Sequence, residues 1–588
     1  MKTRLTAQEQ QDILAKAEQM LGGMFRFDGV WDMEPCLEPV ANRELDWDVT
    51  YQGDVEWAYM FTRMDYLYVL ALSSEIEGDK EPYLYGLKII GKWYRDNRMY
   101  LKGGALNVLK RKVCREYRLG HRTLDVSIMA SNIADYVIWG VENGFIGDDA
   151  SKHYRRIVED ICDYVFRYSD GDYKSFSNWG IQENGNIVYC QLRLGMNRNL
   201  QEAGSRLVRQ VYNQILPDGS HIESSPMYLA EILLILLKIM NVGRDSGICE
   251  KLMEPVSKGC EYIRSIRTLN NTIPGIGDSD CINISDLMLI AGKLLNRSDL
   301  SNAADRPLAP EYCFKFRMER EEPGESIRDG IELTELLHQV ACRSDKDGFY
   351  VLCSNTPRNE DGHKHCDYLS VLYSESGKDV LVDAGRYSYR NDDSRWFSKG
   401  PEGHNTVRIS GDDFYRYVDS WVSRERVTTL GCRARQGEGW MSVRMQCVYG
   451  YRDVTVCRYV TYVYGIGLLI TDMPENGGDL QYETYFNIGH EFDVEKVDGG
   501  ISVHDGSGIS LTYSNDRSLD ADIIPMRYSK RYNQSIQSVQ LSVRNSGGVI
   551  THWFLKNGEK PLVSYTEKAI EYNLTGYGLQ ITVPLNFN

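Results

Sequence analysis

The chain has 588 residues, of which 42% are apolar and 11% aromatic, and its formal charge is −16. This length exceeds what one hydrophobic core usually supports, so two or three domains are expected, and the apolar content excludes a disordered chain. The acidic balance argues against a general nucleic-acid-binding protein, because such proteins need a broad cationic surface to neutralise phosphates.

The amino terminus, residues 1–11, lacks the apolar core of a secretory signal, and no later run is long enough to span a bilayer. These features predict a cytoplasmic protein with no membrane partner. The 14 cysteines are scattered without CxxC spacing. This pattern gives no sign of a thiolate zinc module or a redox motif and favours reduced thiols.

From about residue 7 to about residue 296, apolar residues recur at helical spacing, for example in Val126–Trp139 and Leu229–Ile239. Short connectors such as Leu216–Gly219 separate the predicted helices. Many successive helical hairpins of this length favour a helical toroid or solenoid over a bundle, and an incomplete (α/α) toroid is the expected form. The first predicted domain therefore covers residues 1–300.

A basic segment, Lys110–Arg122, contrasts with the acidic average of the chain. Its arginines offer bidentate geometry for sulfates or carboxylates. Charge runs are more often solvated faces, and that alternative stays open.

Residues 301–334 lose the helical period and contain Pro307, Pro310 and Pro323, so they are predicted to be a linker. Beyond them, β-branched and aromatic runs such as Tyr459–Tyr464 alternate with glycine-containing turns. Residues 335–588 are predicted to form an antiparallel β-sandwich. The expected fold is thus multidomain α + β, with the helical toroid first and the β-sandwich second.

Within the second half, three of the ten histidines fall in about forty residues, at positions 363, 365 and 404, and Asp383 lies between the second and the third. Histidines at i and i+2 of a strand project from the same face and can converge on one metal or one substrate. Any one of them could be an ordinary surface histidine. The combination favours a functional site.

Several motifs occur in order over most of the chain: Asp218–Tyr228, Pro274–Asp280, His363–Ser370, Leu381–Gly385, Arg395 and His404–Val407. Together they resemble the motifs of the heparinase II/III-like polysaccharide lyases. Each motif is of moderate specificity, whereas the ordered set is specific.

The resemblance implies β-elimination at a uronic acid residue of an acidic oligosaccharide, with glycosaminoglycans as the first substrate class and alginate-like chains as the next. Removal of the proton α to a carboxylate creates an enolate-like dianion that must be stabilised as it forms. Tyr228 is implied as the acid and also as a base, once its neighbours lower a pKa of about 10. His363 is implied either as the base or as a support for Tyr228, and a buried core tyrosine is the alternative for Tyr228.

The amide that binds the substrate carboxylate is expected in residues 178–186, where Asn184 is the closest match to the family pattern. An amide can donate to a carboxylate that is gaining charge. The family usually has a histidine directly after this asparagine, and this chain has Gly185 there. Helix capping is the alternative role for Asn184. His221, Glu223 and Arg395 are expected to bind substrate.

His365, Asp383 and His404 match positions that bind zinc in some members of the family. Two imidazoles and a carboxylate, with water as the fourth ligand, would complete a tetrahedral site. The implied task is structural, because elimination consumes no water and needs no metal hydroxide. A metal-free hydrogen-bond network is the alternative.

Two rival functions stay open at this point. A glycoside hydrolase could use a carboxylate pair, either Asp278 with Asp280 or Glu183 with Glu223. A noncatalytic carbohydrate-binding or assembly protein could retain the fold, and Gly185 is the best support for that reading. Assembly into a homo-oligomer is also left open by the sequence.

Overall fold

The computed structural model describes residues 5–101, 119–324, 332–343, 348–352, 362–411, 415–450, 454–477 and 480–587. Most of the basic segment at 110–122 lies outside these residues. The chain divides into two compact units. The helical unit comprises Met1–Ile222, Tyr228–Arg264 and Asn283–Ser326, and the β unit comprises Glu223–Met227, Ser265–Ile282 and Ile327–Asn588.

The first part of the chain is helical, as predicted. Its helices are α1 (Ala7–Leu21), α2 (Glu56–Arg63), α3 (Leu67–Glu77), α4 (Glu81–Leu101), α5 (Thr123–Glu142), α6 (Asp148–Phe166), α7 (Asp172–Ser175), α8 (Asn178–Leu194), α9 (Leu200–Gln214), α10 (Pro226–Val242), α11 (Gly247–Ile266), α12 (Ser285–Leu294), α13 (Ser298–Ser301) and α14 (Pro310–Phe316). A short antiparallel pair, β1 (Met24–Phe27) and β2 (Cys36–Ala41), follows α1.

Burial alternates along the long helices. Helices α5, α8 and α10 are buried over most of their surface, whereas α6, α9 and α11 are buried along one stripe only. In α6 the stripe is Ile157, Ile161 and Val165, at the i, i+4, i+8 spacing of one helix face. An inner helix followed by an outer one is the repeating unit of an (α/α) toroid.

The β unit is built from antiparallel strands. They are β3 (Glu332–Glu335), β4 (Gln339–Arg343), β5 (Gly348–Leu352), β6 (Ser370–Glu375), β7 (Lys378–Leu381), β8 (Val407–Ile409), β9 (Tyr415–Tyr417), β10 (Ser423–Glu425), β11 (Val427–Gly437), β12 (Trp440–Tyr449), β13 (Val454–Val463), β14 (Gly467–Glu475), β15 (Gln481–Asn487), β16 (Asp493–Val497), β17 (Gly500–His504), β18 (Ser510–Asn515), β19 (Ala521–Arg531), β20 (Gln534–Ser546), β21 (Ile550–Lys556), β22 (Leu562–Tyr565), β23 (Ala569–Leu574) and β24 (Leu579–Pro584). Helix α15 (Asp393–Lys399) lies between β7 and β8 in the sequence.

An eight-stranded sheet in the order β11-β12-β13-β14-β21-β18-β17-β16 forms the centre of the β unit. One face shares a large core with the sheets β19-β20-β15-β8 and β3-β4-β5-β6-β7, and the other packs on β22-β23-β24. The first half of β14 is apolar on both faces, because Leu468 and Ile470 enter the large core and Leu469 enters the second core. The predicted antiparallel sandwich is confirmed.

The segment predicted as a linker contains helix α14 and the first residues of β3. The proposed domain boundaries at residues 300 and 335 stay predictions. Two short segments from the first half of the chain, Glu223–Met227 and Ser265–Ile282, belong to the compact β unit. Within the described parts of the chain, none of the helices combines the length and apolar character that a bilayer-spanning segment requires. The cysteines of these parts are free thiols.

Candidate active site

The centre of the candidate site in the β unit is the carboxylate of Asp278. His363 Nδ1 lies 3.0 Å from Asp278 Oδ2, and His365 Nε2 lies 2.8 Å from Asp278 Oδ1. Arg395 donates to both carboxylate oxygens, with Nη2 at 2.8 Å from Oδ2. The backbone adds a further bond, because the Asp278 amide donates to the His363 carbonyl at 2.9 Å. One buried aspartate thus holds two of the predicted histidines together.

The two histidines do not lie on a strand. They occupy the loop that leads into β6, so the i, i+2 argument for a shared strand face is wrong for this segment. Their side chains converge because both bond to Asp278, a residue 85 positions from His363 in the sequence. A sequence pattern cannot show so distant a partner.

The electrostatics of this cluster follow from burial and pairing. Burial raises the pKa of Asp278, but Arg395 and the two histidine hydrogen bonds outweigh it and hold that pKa well below its usual range. Burial lowers the pKa of His363, and it lowers the pKa of His365 to about 4. Both imidazoles are therefore neutral at neutral pH, and a neutral imidazole can accept a proton or bind a metal.

Lys399, which the sequence argument did not single out, borders the same loop. Its ammonium group donates to the Gly362 carbonyl at 2.7 Å. Burial and the neighbouring charge of Arg395 lower the pKa of Lys399 to about 7. Its position could not be read from the sequence, because the bond spans 37 residues and joins the last residue of α15 to the loop at Gly362.

Arg395 is enclosed by the protein. Besides Asp278, its Nε and Nη2 donate to the Ser420 carbonyl at 3.1 and 3.0 Å. The predicted direct contact between Arg395 and substrate finds no support in this geometry. Its guanidinium instead fixes the positions of Asp278 and of the turn at Ser420.

The predicted metal ligands form a buried group within the β unit. One ligand atom from each of His365, Asp383 and His404 can be chosen so that all three lie within 4.8 Å of one another. Asp383 Oδ2 lies 2.8 Å from His404 Nδ1, and Asp383 Oδ1 accepts from the Gly385 amide at 3.0 Å. The cluster of three can hold a metal ion.

Two buried ring nitrogens indicate that a metal ion would fit this group of residues. His365 Nδ1 and His404 Nε2 are buried and have no hydrogen-bond partner. A buried ring nitrogen without a partner costs free energy unless something binds it. Two such nitrogens beside one carboxylate are the donor set of a divalent transition-metal site. Burial lowers the pKa of His404, but Asp383 outweighs it and raises that pKa.

A second buried ion pair anchors the loops that carry His365 and His404 to the central sheet. Arg458 on β13 pairs with Asp472 on β14 at 2.7 Å, and its Nη1 donates to the carbonyls of Leu369 and Asn405 at 2.9 and 2.7 Å. These carbonyls lie close in sequence to His365 and His404. The loops are therefore anchored to the central sheet without help from a ligand.

The segment before Tyr228 is fixed to the Asp278 loop inside the β unit. Ser225 Oγ donates to the Asp278 carbonyl at 3.0 Å and lies 2.8 Å from Ser279 Oγ. Gly277 has a φ of +53°, and a Cβ there would lie 2.7 Å from the Ser224 carbonyl oxygen and 2.9 Å from that of His363. Only glycine fits this close approach. Tyr228 follows at the first turn of α10, and its side chain is buried.

Asn184 is wholly buried in α8, with an exposed fraction of 0%. Its amide nitrogen donates to the carbonyl of Ser169 at 2.8 Å and to Gln210 Oε1 at 3.1 Å, and its oxygen accepts from Ser169 Oγ at 3.0 Å. Ser177 caps this helix, so the capping alternative for Asn184 is wrong. The amide joins α8 to α9, and a substrate contact by Asn184 stays a prediction that its bonds do not favour.

The space beside Gly185 is narrow. A Cβ at this position would lie 3.1 Å from Ile235 Cγ1 on α10, so a side chain there requires Ile235 to shift. The glycine therefore lets two buried helices pack closely at the position where the family usually has a histidine.

The other predicted substrate residues lie in different surroundings. His221, in the helical unit, has its Nε2 at 3.2 Å from Gln214 Oε1. Glu223, in the β unit, is buried. The carboxylates of the rival hydrolase are also engaged: Asp280 pairs with Arg386 at 2.8 Å, and Glu183 is buried against Lys174.

A cavity of about 100 Å³ lies within the helical unit. Gln182 and Asn186 of α8 and Lys238 of α10 are among its lining residues. Its volume suits a few water molecules rather than a sugar ring.

Comparisons with known proteins match both halves of the chain to one family. Residues 3–292 match the family profile Heparinase II/III N-terminus, and residues 339–568 match Heparinase II/III-like, C-terminal. A crystal structure of a heparinase III superposes with a TM-score of 0.73 at 15% identity, covering 100% of this chain and 92% of that one. The heparan sulfate lyase HepC from Pedobacter heparinus, in a mutant form, superposes with a TM-score of 0.65 at 14% identity, covering 100% and 90%.

No curated protein sequence matches the chain. The solved structures share its fold of helical toroid and β-sandwich. With both family profiles matched in order, the chain belongs to the heparinase II/III-like family.

Proposed function

We propose that this protein is a polysaccharide lyase that cleaves uronic-acid-containing oligosaccharides by β-elimination, with glycosaminoglycan-type chains as the leading substrate class. The observation that carries the proposal is the Asp278 cluster, in which one buried carboxylate orients His363 while Arg395 balances its charge. Such a cluster holds a neutral imidazole in a fixed orientation, as proton transfer requires.

The proposed reaction needs three groups. One stabilises the uronate carboxylate as the proton α to it leaves, one removes that proton from C5, and one protonates the departing oxygen. The C5–H electrons form the C4–C5 double bond, the C4–O bond breaks, and the oxygen leaves with a proton. The products are an unsaturated uronate and a new hydroxyl end.

We assign the proton transfers to His363 and Tyr228. His363 Nδ1 is engaged by Asp278, so the proposed acceptor is the other ring nitrogen, Nε2. Tyr228 is the proposed acid for the leaving oxygen. Where the C5 proton and the leaving oxygen lie on the same side of the sugar, Tyr228 can perform both steps and His363 supports it.

We keep Asn184 as the proposed carboxylate-binding amide, on the strength of its match to the family pattern. Its amide nitrogen already donates to Ser169 and Gln210, so a bond to the substrate carboxylate would have to replace one of these bonds.

We also propose that the metal held by His365, Asp383 and His404 is zinc. Two nitrogen donors and one carboxylate in a closed, buried position suit a structural zinc. When bound, the ion would supply positive charge and fix the loop that carries His363. Its ligands would then be held by Asp278 on one side and by the Asp383–His404 contact on the other.

A glycoside hydrolase is not favoured, because Asp278 and Asp280 are both buried in ion pairs with arginines. A general acid of that class needs a raised pKa, whereas pairing with Arg395 lowers the pKa of Asp278.

The test is to incubate the protein with heparan, chondroitin, hyaluronan and alginate oligosaccharides and to follow the ultraviolet absorbance of the unsaturated uronate. At least one acidic substrate should generate absorbance in proportion to new reducing ends. New reducing ends without absorbance would indicate hydrolysis. Binding without any cleavage would indicate a noncatalytic protein.

A further inference from the structure

A solvent-exposed tryptophan lies beside His363. Trp421, in the turn between β9 and β10, is 43% exposed. Its ring centroid lies 5.9 Å from that of His363, with the two planes nearly perpendicular, and 4.6 Å from that of Tyr389. The three rings form one contiguous aromatic group beside the proposed proton acceptor, and Trp421 is its exposed member.

The turn that carries Trp421 is held by many hydrogen bonds. Asp419 Oδ1 accepts from the backbone amides of Trp421 and Val422, both at 2.9 Å. Ser420 Oγ donates to the Tyr389 carbonyl at 2.6 Å, and the Ser420 carbonyl accepts from Arg395. The arginine that pairs with Asp278 therefore also fixes the residue before Trp421.

Gly362 leaves room for the Trp421 indole to pack against the loop that carries His363. A Cβ at Gly362 would lie 3.2 Å from Trp421 Cε3, which is tighter than ordinary van der Waals contact. Any side chain there would push the indole outward. The absence of one lets Trp421 pack directly on the backbone that precedes His363.

An indole in this position costs free energy unless it has a partner. It is a large apolar ring held in place yet left in contact with water, and Val418 and Val422 beside it are also exposed. A fixed apolar patch next to polar groups is typical of ligand-binding surfaces. A pyranose ring presents C–H groups on its faces, and these pack favourably on an electron-rich aromatic ring.

We propose that Trp421 is a sugar-stacking platform that positions one pyranose ring of the oligosaccharide beside His363. The proposal rests on the proposed lyase function for the identity of the bound oligosaccharide, and it adds a substrate-binding residue to that site. Trp421 contributes contact area and orientation and takes no part in proton transfer.

The variants Trp421→Ala and Trp421→Phe test this role, with Trp396→Ala as the matched control. Trp396 on α15 is 50% exposed and lies next to Arg395 in sequence, so its loss tests for a general effect of removing a surface indole. With a heparan sulfate hexasaccharide as substrate, Trp421→Ala should raise KM about tenfold and change kcat about twofold or less. Trp421→Phe should retain part of the affinity, and Trp396→Ala should match the wild type.

Two results would overturn the proposal. One is a Trp421→Ala enzyme with unchanged KM. The other is a loss of kcat at constant KM, which would mean that the indole merely supports His363. Thermal unfolding of each variant separates these results from a folding defect, and a misfolded alanine variant leaves the phenylalanine variant to decide.

A binding measurement distinguishes failure of the proposed lyase function from failure of the proposed role of Trp421. If the wild type binds the hexasaccharide without cleaving it, the lyase proposal fails, and the platform is supported only if Trp421→Ala weakens binding about tenfold. Binding is followed by calorimetry, so that it does not depend on the fluorescence of the residue removed. If the wild type neither cleaves nor binds this probe, the platform is overturned as well.

Discussion

The two halves of the predicted site differ in what surrounds their polar atoms. In the β unit, His363, His365, Asp383 and His404 occur in two connected clusters, and the second retains buried nitrogens without partners. In the helical unit, the amide of Asn184 is fully used between neighbouring helices. A residue type at the expected place in a motif indicates function only when its bonding capacity is left for a ligand.

The largest effect is expected at Tyr228. Replacement by Phe keeps the ring but removes the proton donor, so turnover should fall by about 10²- to 10⁴-fold while oligosaccharide binding persists. Initial rates from product absorbance and binding by calorimetry measure the two quantities. Retention of more than a tenth of the wild-type rate would move the acid role to another residue.

The Asp278 cluster is expected to dominate the stability of the β-unit site. Asp278→Asn leaves the buried charge of Arg395 without its counter-ion and should destabilise the fold by about 3 to 5 kcal/mol. Chemical denaturation measures this loss. Asp379→Asn is the control, because Asp379 pairs with Lys530 at a partly exposed position and should cost about 1 kcal/mol or less. Equal losses in the two variants would contradict the central role of Asp278.

An asparagine variant tests the assignment within α8. Asn184→Ala should lower kcat/KM by about 10²- to 10³-fold, because it removes the proposed donor to the developing charge. It should also cost about 1 to 3 kcal/mol of stability, because it leaves Ser169 and Gln210 unsatisfied. Initial rates and chemical denaturation measure the two losses, and lost stability with an unchanged kcat/KM would limit Asn184 to helix packing.

Metal removal is expected to have the smallest effect. Chelation should release about one zinc per chain and lower the free energy of unfolding by about 2 to 3 kcal/mol. Thermal unfolding with and without chelator, together with elemental analysis, measures both. His404→Ala should make stability insensitive to chelator. A protein that purifies without metal and does not respond to added zinc would favour the metal-free network.

The sequence predicted those features that depend on local patterns. Helical spacing and strand alternation identified the two fold classes. The group of His365, Asp383 and His404 was expected from the resemblance of its motifs to a known family, and the structure brings the three residues together. Ion pairs between distant residues left no local signal: Asp278 and Arg395 are 117 residues apart. Within α8, the bonds that occupy the Asn184 amide lead to Ser169 and Gln210, which lie 15 and 26 residues away, and no local pattern shows them.

The contact at Gly277 has a consequence for how the protein folds. This glycine lies against the carbonyls of Ser224 and His363, and its neighbour Asp278 bonds across separations of 53, 85 and 117 residues. Contacts between such distant segments form only after long loops have closed, which makes them slow. The candidate site should therefore mature after the local helical hairpins. A folding intermediate could carry native-like helices while still lacking the arrangement of residues that catalysis would require.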